Sequence, residues 1–155
     1  MTKENTKKVD FNETPDAKTY KVAVYGSLRK GLHNWKALEM EDEKYHGEFD
    51  SLPLYSLYAV TSSYPGIKLN GTTSVKMEVY EVGEDKLDDL NSLEGYYGPD
   101  AATNHYNRTS IDTPFGDAYL YVYNYNTKAG DLIESGDWKD HYETKQQIRR
   151  LTNQE

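Results

Sequence analysis

The chain contains no cysteine among its 155 residues. This absence excludes a disulfide-stapled scaffold, a thiolate zinc site and a cysteine nucleophile. Basic residues are also few, with 18 Lys and Arg against 26 Asp and Glu and a net charge of −8, which argues against general affinity for nucleic acid. No apolar stretch approaches the 18 or more residues of a membrane span, and no hydrophobic leader follows Met1. We therefore expect a soluble, cytoplasmic protein that binds neither nucleic acid nor membranes.

Hydrophobic residues make up only 36% of the chain, but fifteen tyrosines add large apolar faces with polar tips. A chain of this length is most simply one domain with a hydrophobic core. Residues 1–19 are polar and lack periodicity, which predicts a disordered or loosely attached tail. The sequence thus predicts a single domain over residues 20–151.

Alternation of apolar and polar residues indicates a sheet-rich fold. It is clearest over residues 74–82, where Val75, Met77 and Val79 alternate with polar neighbours. The period changes after this strand and predicts a helix over 84–93 that Gly95 ends. Other strands are predicted at 21–25, 45–50, 54–60, 67–69, 106–111 and 118–125, with a turn at 63–66 and a second helix over 138–151. Six or so strands with an embedded helix predict an α+β fold, a small mixed β-barrel with flanking helices.

The first strand runs directly into Tyr25-Gly26-Ser27-Leu28. A glycine at this position lets the backbone approach a ligand without a Cβ in the way. The amides that follow could converge on an anion as a small concave nest. The alternative interpretation is a tight turn at the end of the strand that binds no ligand.

The second candidate is Glu94, which follows Leu87 by seven residues. Seven helical residues return the side chain to within about 20° of its starting direction, so Glu94 falls on the predicted buried face. A carboxyl group there loses hydration, which raises its pKa toward neutrality and suits a general base that later acts as an acid. A frayed helix end, with Glu94 turned to water, fits the spacing equally well.

Other chemistries find little support in the sequence. Leu32-His33 follow the spaced glycines Gly26 and Gly31, where a phosphate loop requires Lys and then Ser or Thr. The four histidines lack metal-ligand spacing, and no Gly-x-Ser-x-Gly elbow is present to activate a serine. We predict no metal and no cofactor. The tyrosines at alternate positions 119–125 form one wall of a strand, from which Tyr123 could orient a substrate.

Short motifs follow one another in order between residues 21 and 126. They are Tyr25-Gly26-Ser27-Leu28-Arg29-Lys30-Gly31, His33-Asn34, Tyr64-Pro65-Gly66, Val75 to Val82, Leu87 to Glu94, Tyr106-x-Arg108 and Tyr121-Val122-Tyr123. Each is weak alone, but the ordered set resembles the gamma-glutamylcyclotransferase-like family, and more narrowly its gamma-glutamylamine cyclotransferase or AIG2-like branch. The family often has Asp-x-x-Glu before an aromatic residue, whereas here Leu-Asn-Ser-Leu-Glu-Gly-Tyr supplies the glutamate with altered neighbours.

The resemblance implies a compact mixed β-barrel in which residues 25–28 form the substrate-binding loop and Glu94 is the catalytic acid/base. The matching Tyr106-x-Arg108 element is expected to support the barrel. The implied reaction is cofactor-free: the substrate's own α-amino nitrogen attacks its γ-glutamyl carbonyl, releasing 5-oxoproline and a free amine. Since the nucleophile belongs to the substrate, proximity supplies much of the rate gain. A non-catalytic binding module for a small gamma-glutamyl-type or acylated metabolite remains the alternative, with Glu94 acting only as a hydrogen-bond acceptor.

Overall fold

The computed structural model describes residues 18–153, so most of the tail predicted for residues 1–19 lies outside the described residues. Within this range the predicted strands and both predicted helices occur in the expected order, and a short helix at His33–Ala37 was not predicted. The strands and helices are β1 (Tyr20–Val24), α1 (His33–Ala37), β2 (Lys44–Asp50), β3 (Tyr55–Ala59), β4 (Pro65–Thr73), β5 (Lys76–Val82), α2 (Glu84–Glu94), β6 (Tyr106–Ile111), β7 (Ala118–Tyr123) and α3 (Trp138–Asn153). None of these helices is long and apolar enough to cross a membrane.

Five strands form one sheet in the order β2-β5-β1-β7-β6, and β3 pairs with β4 in a separate two-stranded sheet. The central strand β1 runs antiparallel to β5 and parallel to β7. Within residues 18–153 the edge strands β2 and β6 do not pair with each other, so the sheet is curled but open and the predicted barrel is not confirmed. A barrel requires every strand to be paired on both sides. Alternation in a sequence predicts strands but does not reveal their partners.

One local prediction is wrong. The turn expected at residues 63–66 ends earlier, because Pro65 and Gly66 already belong to the nine-residue strand β4. Proline is tolerated at the first position of a strand, where its missing N–H group leaves no ladder bond unmade. The short extended piece predicted at 67–69 is the middle of the same strand. This early start matters because it brings Pro65 against the end of β1.

Helix α2 packs through Leu87 and Leu90, both buried, and stops at Gly95 in the left-handed conformation with φ 66°. The N–H of Tyr96 bonds to the carbonyl of Asn91 at 2.9 Å, and the N–H of Gly95 to that of Ser92 at 3.2 Å. These two bonds form a Schellman motif, which glycine favours because it has no Cβ to clash. Glu94 is therefore the last residue of a firmly ended helix rather than of a frayed one.

Candidate active site

A cavity of about 370 Å³ opens where the chain leaves β1 and where α2 ends. Its lining includes the whole predicted loop Tyr25-Gly26-Ser27-Leu28 together with Glu94. These two segments are far apart in sequence and meet here because the loop follows the central strand. Tyr123 is not among the lining residues.

The loop after β1 turns sharply and leaves amide groups free. The N–H of Arg29 donates to the carbonyl of Gly26 at 2.9 Å, and those of Asn34 and Trp35 donate to the carbonyl of Ser27 at 3.2 Å. The N–H groups of Ser27 and Leu28 donate no hydrogen bond to other groups within residues 18–153. Unused amides on consecutive residues of a tight turn are suited to binding an anion.

Asn34 and Ser27 add side chains to the same end of the cavity. The Asn34 amide Nδ2 donates to the Ser27 hydroxyl oxygen at 2.6 Å. This bond occupies the oxygen as an acceptor and leaves the hydroxyl hydrogen available to a ligand. The loop therefore offers a hydroxyl donor beside its free amides.

Gly26 allows the loop to approach the ring of Pro65 closely. A Cβ at this position would lie 2.7 Å from Cδ of Pro65 in β4, which is closer than van der Waals contact allows. The glycine is thus required by packing against the hairpin, a reason that the sequence pattern alone did not reveal.

A buried charge cluster anchors the far side of the loop, and sequence reasoning missed it. Arg29 is 2% exposed and binds Glu78 through Nε at 2.9 Å, Asp137 through Nη1 at 2.8 Å and Glu48 through Nη2 at 3.0 Å. The second oxygen of Glu78 accepts the backbone N–H of Lys30 at 2.8 Å. Because Arg29 directly follows Leu28, this cluster fixes where the loop turns.

Glu94 lines the cavity and is partly exposed as a residue. Burial raises the pKa of this carboxyl group to about 8. The neighbouring Gly95 carbonyl accepts the N–H of His105 at 2.9 Å, which ties the end of α2 to the segment before β6. A group of this pKa exchanges protons readily near neutrality.

Three buried tyrosines line the cavity and form what we call its floor: Tyr25, Tyr106 and Tyr121, whose hydroxyl groups all donate hydrogen bonds within the protein. Tyr25 donates to the Tyr121 carbonyl at 2.7 Å and accepts the Ile67 N–H at 3.1 Å. Tyr106 donates to the Pro65 carbonyl at 2.6 Å. Burial raises the pKa of Tyr25, so its phenol stays neutral. The floor therefore provides a water-poor surface rather than further titrating groups.

Tyr121, not Tyr123, is the tyrosine of β7 that lines the cavity. Both side chains lie on the same face of the strand, so alternation could not distinguish them. The ring of Tyr123 packs against those of His105 and Tyr106, with centroids 5.5 and 5.3 Å apart. An orienting role for Tyr123 could therefore act only through these neighbours.

The Tyr106-x-Arg108 element divides between two environments. Tyr106 lines the cavity, whereas Arg108 lies outside it, with its guanidinium 4.0 Å from the Tyr119 ring centroid. Arg108 also donates to the Asn91 side-chain oxygen at 3.2 Å, and Tyr121 donates to the same oxygen at 2.6 Å. Asn91 thereby joins α2 to β7 one helical turn before Glu94.

Sequence reasoning also missed Tyr64 and His105, which line the cavity. Tyr64 belongs to the motif Tyr64-Pro65-Gly66 and could have been considered as a site residue. No motif or residue spacing in the sequence points to His105. Within residues 18–153 no group of three or more His, Asp or Glu side chains is placed to hold a metal ion.

Comparison with known proteins identifies the family. The family described as "Gamma-glutamyl cyclotransferase, AIG2-like" matches residues 22–140. The chain is 37% identical over 122 residues to the Escherichia coli K12 "Gamma-glutamylcyclotransferase family protein YtfP", covering 77% of this chain and 96% of that one. A crystal structure of an uncharacterized Pyrococcus horikoshii protein superposes with a TM-score of 0.65 at 29% identity, covering 83% of this chain and 97% of that one. A mouse AIG2-like protein shares the fold, with a TM-score of 0.61 at 20% identity over 77% of this chain and 88% of that one. The chain belongs to the AIG2-like gamma-glutamyl cyclotransferase family.

Proposed function

We propose that the protein is a cofactor-free gamma-glutamylcyclotransferase that releases 5-oxoproline and a free amine from a gamma-glutamyl amine or gamma-glutamyl amino acid. The observation that carries this proposal is one cavity holding both an amide-rich loop and a carboxyl group of raised pKa. A site that only binds its ligand has no need of a poorly hydrated acid. A cytoplasmic location is part of the proposal, since the expected substrate is a small metabolite.

The free amides of Ser27 and Leu28 hold the substrate's α-carboxylate or the oxyanion that develops on the γ-carbonyl. The Ser27 hydroxyl adds a third donor. A single donor aimed at a developing oxyanion contributes about 3 kcal/mol to lowering a barrier of this kind. Binding the glutamyl end in this way folds the α-amino nitrogen toward its own γ-carbonyl, which makes ring closure a unimolecular step.

Glu94 transfers the protons. Its carboxylate takes one proton from the α-ammonium group, and the freed nitrogen pair forms a bond to the γ-carbon. The bond from the γ-carbon to the departing nitrogen then breaks as the protonated Glu94 returns the proton to that nitrogen. The carboxylate formed again takes the second proton from the ring nitrogen and passes it to the released amine. The α-ammonium group loses two protons in forming the lactam, and the leaving amine gains two in becoming an ammonium ion, so the reaction is balanced without a co-reactant.

Incubating the protein with gamma-glutamyl amines, gamma-glutamyl dipeptides and glutathione, and measuring 5-oxoproline, tests the proposal directly. We expect release from at least one substrate class that depends on Glu94. Saturable binding of these compounds with no 5-oxoproline formed would instead favour the binding module and overturn the enzyme.

Replacing Gly26 with valine is expected to lower kcat/KM by at least about 30-fold, because the new side chain must displace either Pro65 or the loop amides. Steady-state kinetics of 5-oxoproline release measure the effect. Gly130→Ala is the matched control, since a Cβ there meets nothing within 4 Å. Wild-type kinetics in a folded Gly26→Val protein would contradict the role of the loop.

The pH profile should show the raised pKa of Glu94, which is about 8. Because the carboxylate form starts the reaction, kcat/KM should fall about tenfold per pH unit below that pKa. The pH profile of the residual activity of Glu94→Gln is the control. Any fall of kcat/KM at low pH that persists in this variant belongs to the substrate's own amino group. Activity independent of pH between 6 and 8 in the wild type would contradict the assignment.

A further inference from the structure

Two chemically different groups of residues line the cavity. One is the loop of residues 25–28, with its free amides and the Ser27 hydroxyl. The other consists of Tyr64, Leu93 and His105, which we call the outer wall. All three outer-wall residues keep some solvent exposure, and Leu93 is 41% exposed. The outer wall therefore borders the solvent side of the cavity.

The outer wall lies immediately beside Glu94. Leu93 precedes it in α2, and His105 bonds through its backbone N–H to the carbonyl of Gly95 at 2.9 Å. Tyr64 packs its ring edge-on against His105, with centroids 5.9 Å apart. Since Glu94 must reach the departing nitrogen while the glutamyl end occupies the loop, the substituent on that nitrogen lies against this wall.

The outer wall offers this substituent two aromatic rings and the Leu93 side chain. No lysine or arginine among residues 18–153 lines the cavity. A carboxylate on the leaving group would meet Glu94 with no lysine or arginine to compensate its charge. An aryl ring, by contrast, can pack edge-to-face against Tyr64 and His105, the geometry these two rings already adopt with each other.

From this juxtaposition we infer that the preferred leaving group is an arylalkylamine and that Tyr64 and His105 determine this specificity. The inference rests on the proposed cyclotransferase function and names its substrate class. The aryl ring lies between the outer wall and solvent, and its short alkyl chain places the departing nitrogen at Glu94. Moving the aryl ring of the leaving group from water to the outer wall contributes binding energy at a distance from the bond that breaks.

Three substrates test the inference: gamma-glutamyl-phenethylamide, gamma-glutamyl-n-butylamide and gamma-glutamylalanine. We expect kcat/KM for 5-oxoproline release to be about tenfold higher for the phenethylamide than for the butylamide, and lowest for gamma-glutamylalanine. Tyr64→Leu and His105→Leu should each reduce the phenethyl-to-butyl ratio to about two or less. Tyr64→Phe should keep the ratio, because the ring remains.

Tyr97→Leu is the matched control, since Tyr97 is 69% exposed and does not line the cavity. The ratio of two substrates on one protein sample is unaffected by any unfolded fraction, so a variant that folds poorly still gives a result. Equal kcat/KM values for the two amides, or a ratio that survives both leucine variants, would overturn the inference. In either case continued 5-oxoproline release would leave the cyclotransferase proposal standing, whereas no release from any substrate would overturn both.

Discussion

Replacement of Glu94 by glutamine is expected to lower kcat by about 10³-fold while the protein stays folded. Glutamine has nearly the same shape but cannot take up or return a proton, and general acid–base catalysis typically contributes 10²- to 10⁴-fold. Asp88→Asn is the control, because it removes an exposed carboxylate from the same helix. Undiminished 5-oxoproline release by Glu94→Gln would remove Glu94 from the mechanism.

The same substitution should make the protein more stable at high pH. The pKa of Glu94 is raised by burial to about 8 in the folded chain, against about 4.3 in an unfolded one. The wild type therefore has its full stability below about pH 4.3 and loses stability as the pH rises through about 8. The Glu94→Gln variant does not lose this stability, because glutamine does not ionise. Allowing for the partial exposure of Glu94, we expect a gain of about 2 kcal/mol at pH 8 and little at pH 4, measured by denaturant unfolding.

Replacement of Arg29 by methionine is expected to reduce the free energy of unfolding by about 3–5 kcal/mol, because it leaves Glu78 buried without its partner. Glu78 is only 2% exposed, so water cannot replace the lost contacts. Thermal and denaturant unfolding measure the effect. Activity should fall as well, since the loop that precedes Arg29 loses its anchor.

Two further variants make this test specific. Arg149→Met changes an exposed arginine of α3 in the same way and should leave stability nearly unchanged. Adding Glu78→Gln to Arg29→Met should restore part of the loss, because the uncompensated charge is removed. An Arg29→Met protein as stable as the wild type would show that the cluster does not hold the loop.

Much of the site could be predicted because its signals are local. The seven-residue step from Leu87 to Glu94 and the stop at Gly95 define the helix end within one short segment, and Gly26 directly follows the first strand. In both cases the signal lies within a short segment, although the packing of Gly26 against Pro65 does not. The same segments also carried the family resemblance.

The missed features depend on contacts between distant residues. Glu78 lies between Met77 and Val79, and alternation predicts that it faces solvent, whereas β5 is buried on both faces. Its partner Arg29 is 49 residues away, and no periodicity links them. The position of Tyr121 rather than Tyr123 in the cavity lining could not be predicted for a related reason, because a strand pattern reveals the face of a side chain but not how far along the strand a cavity lies.

The hydroxyl of Tyr25 bonds to β7 through the Tyr121 carbonyl and to β4 through the Ile67 N–H. One side chain thus fastens the hairpin to the main sheet at the residue where the loop begins. A hinge between the two sheets would have to break the bond to Ile67, a residue with no solvent exposure. We therefore expect the two sheets to move together, so that ligands of different size are accommodated by lining residues outside the strands, such as Leu93 and His105.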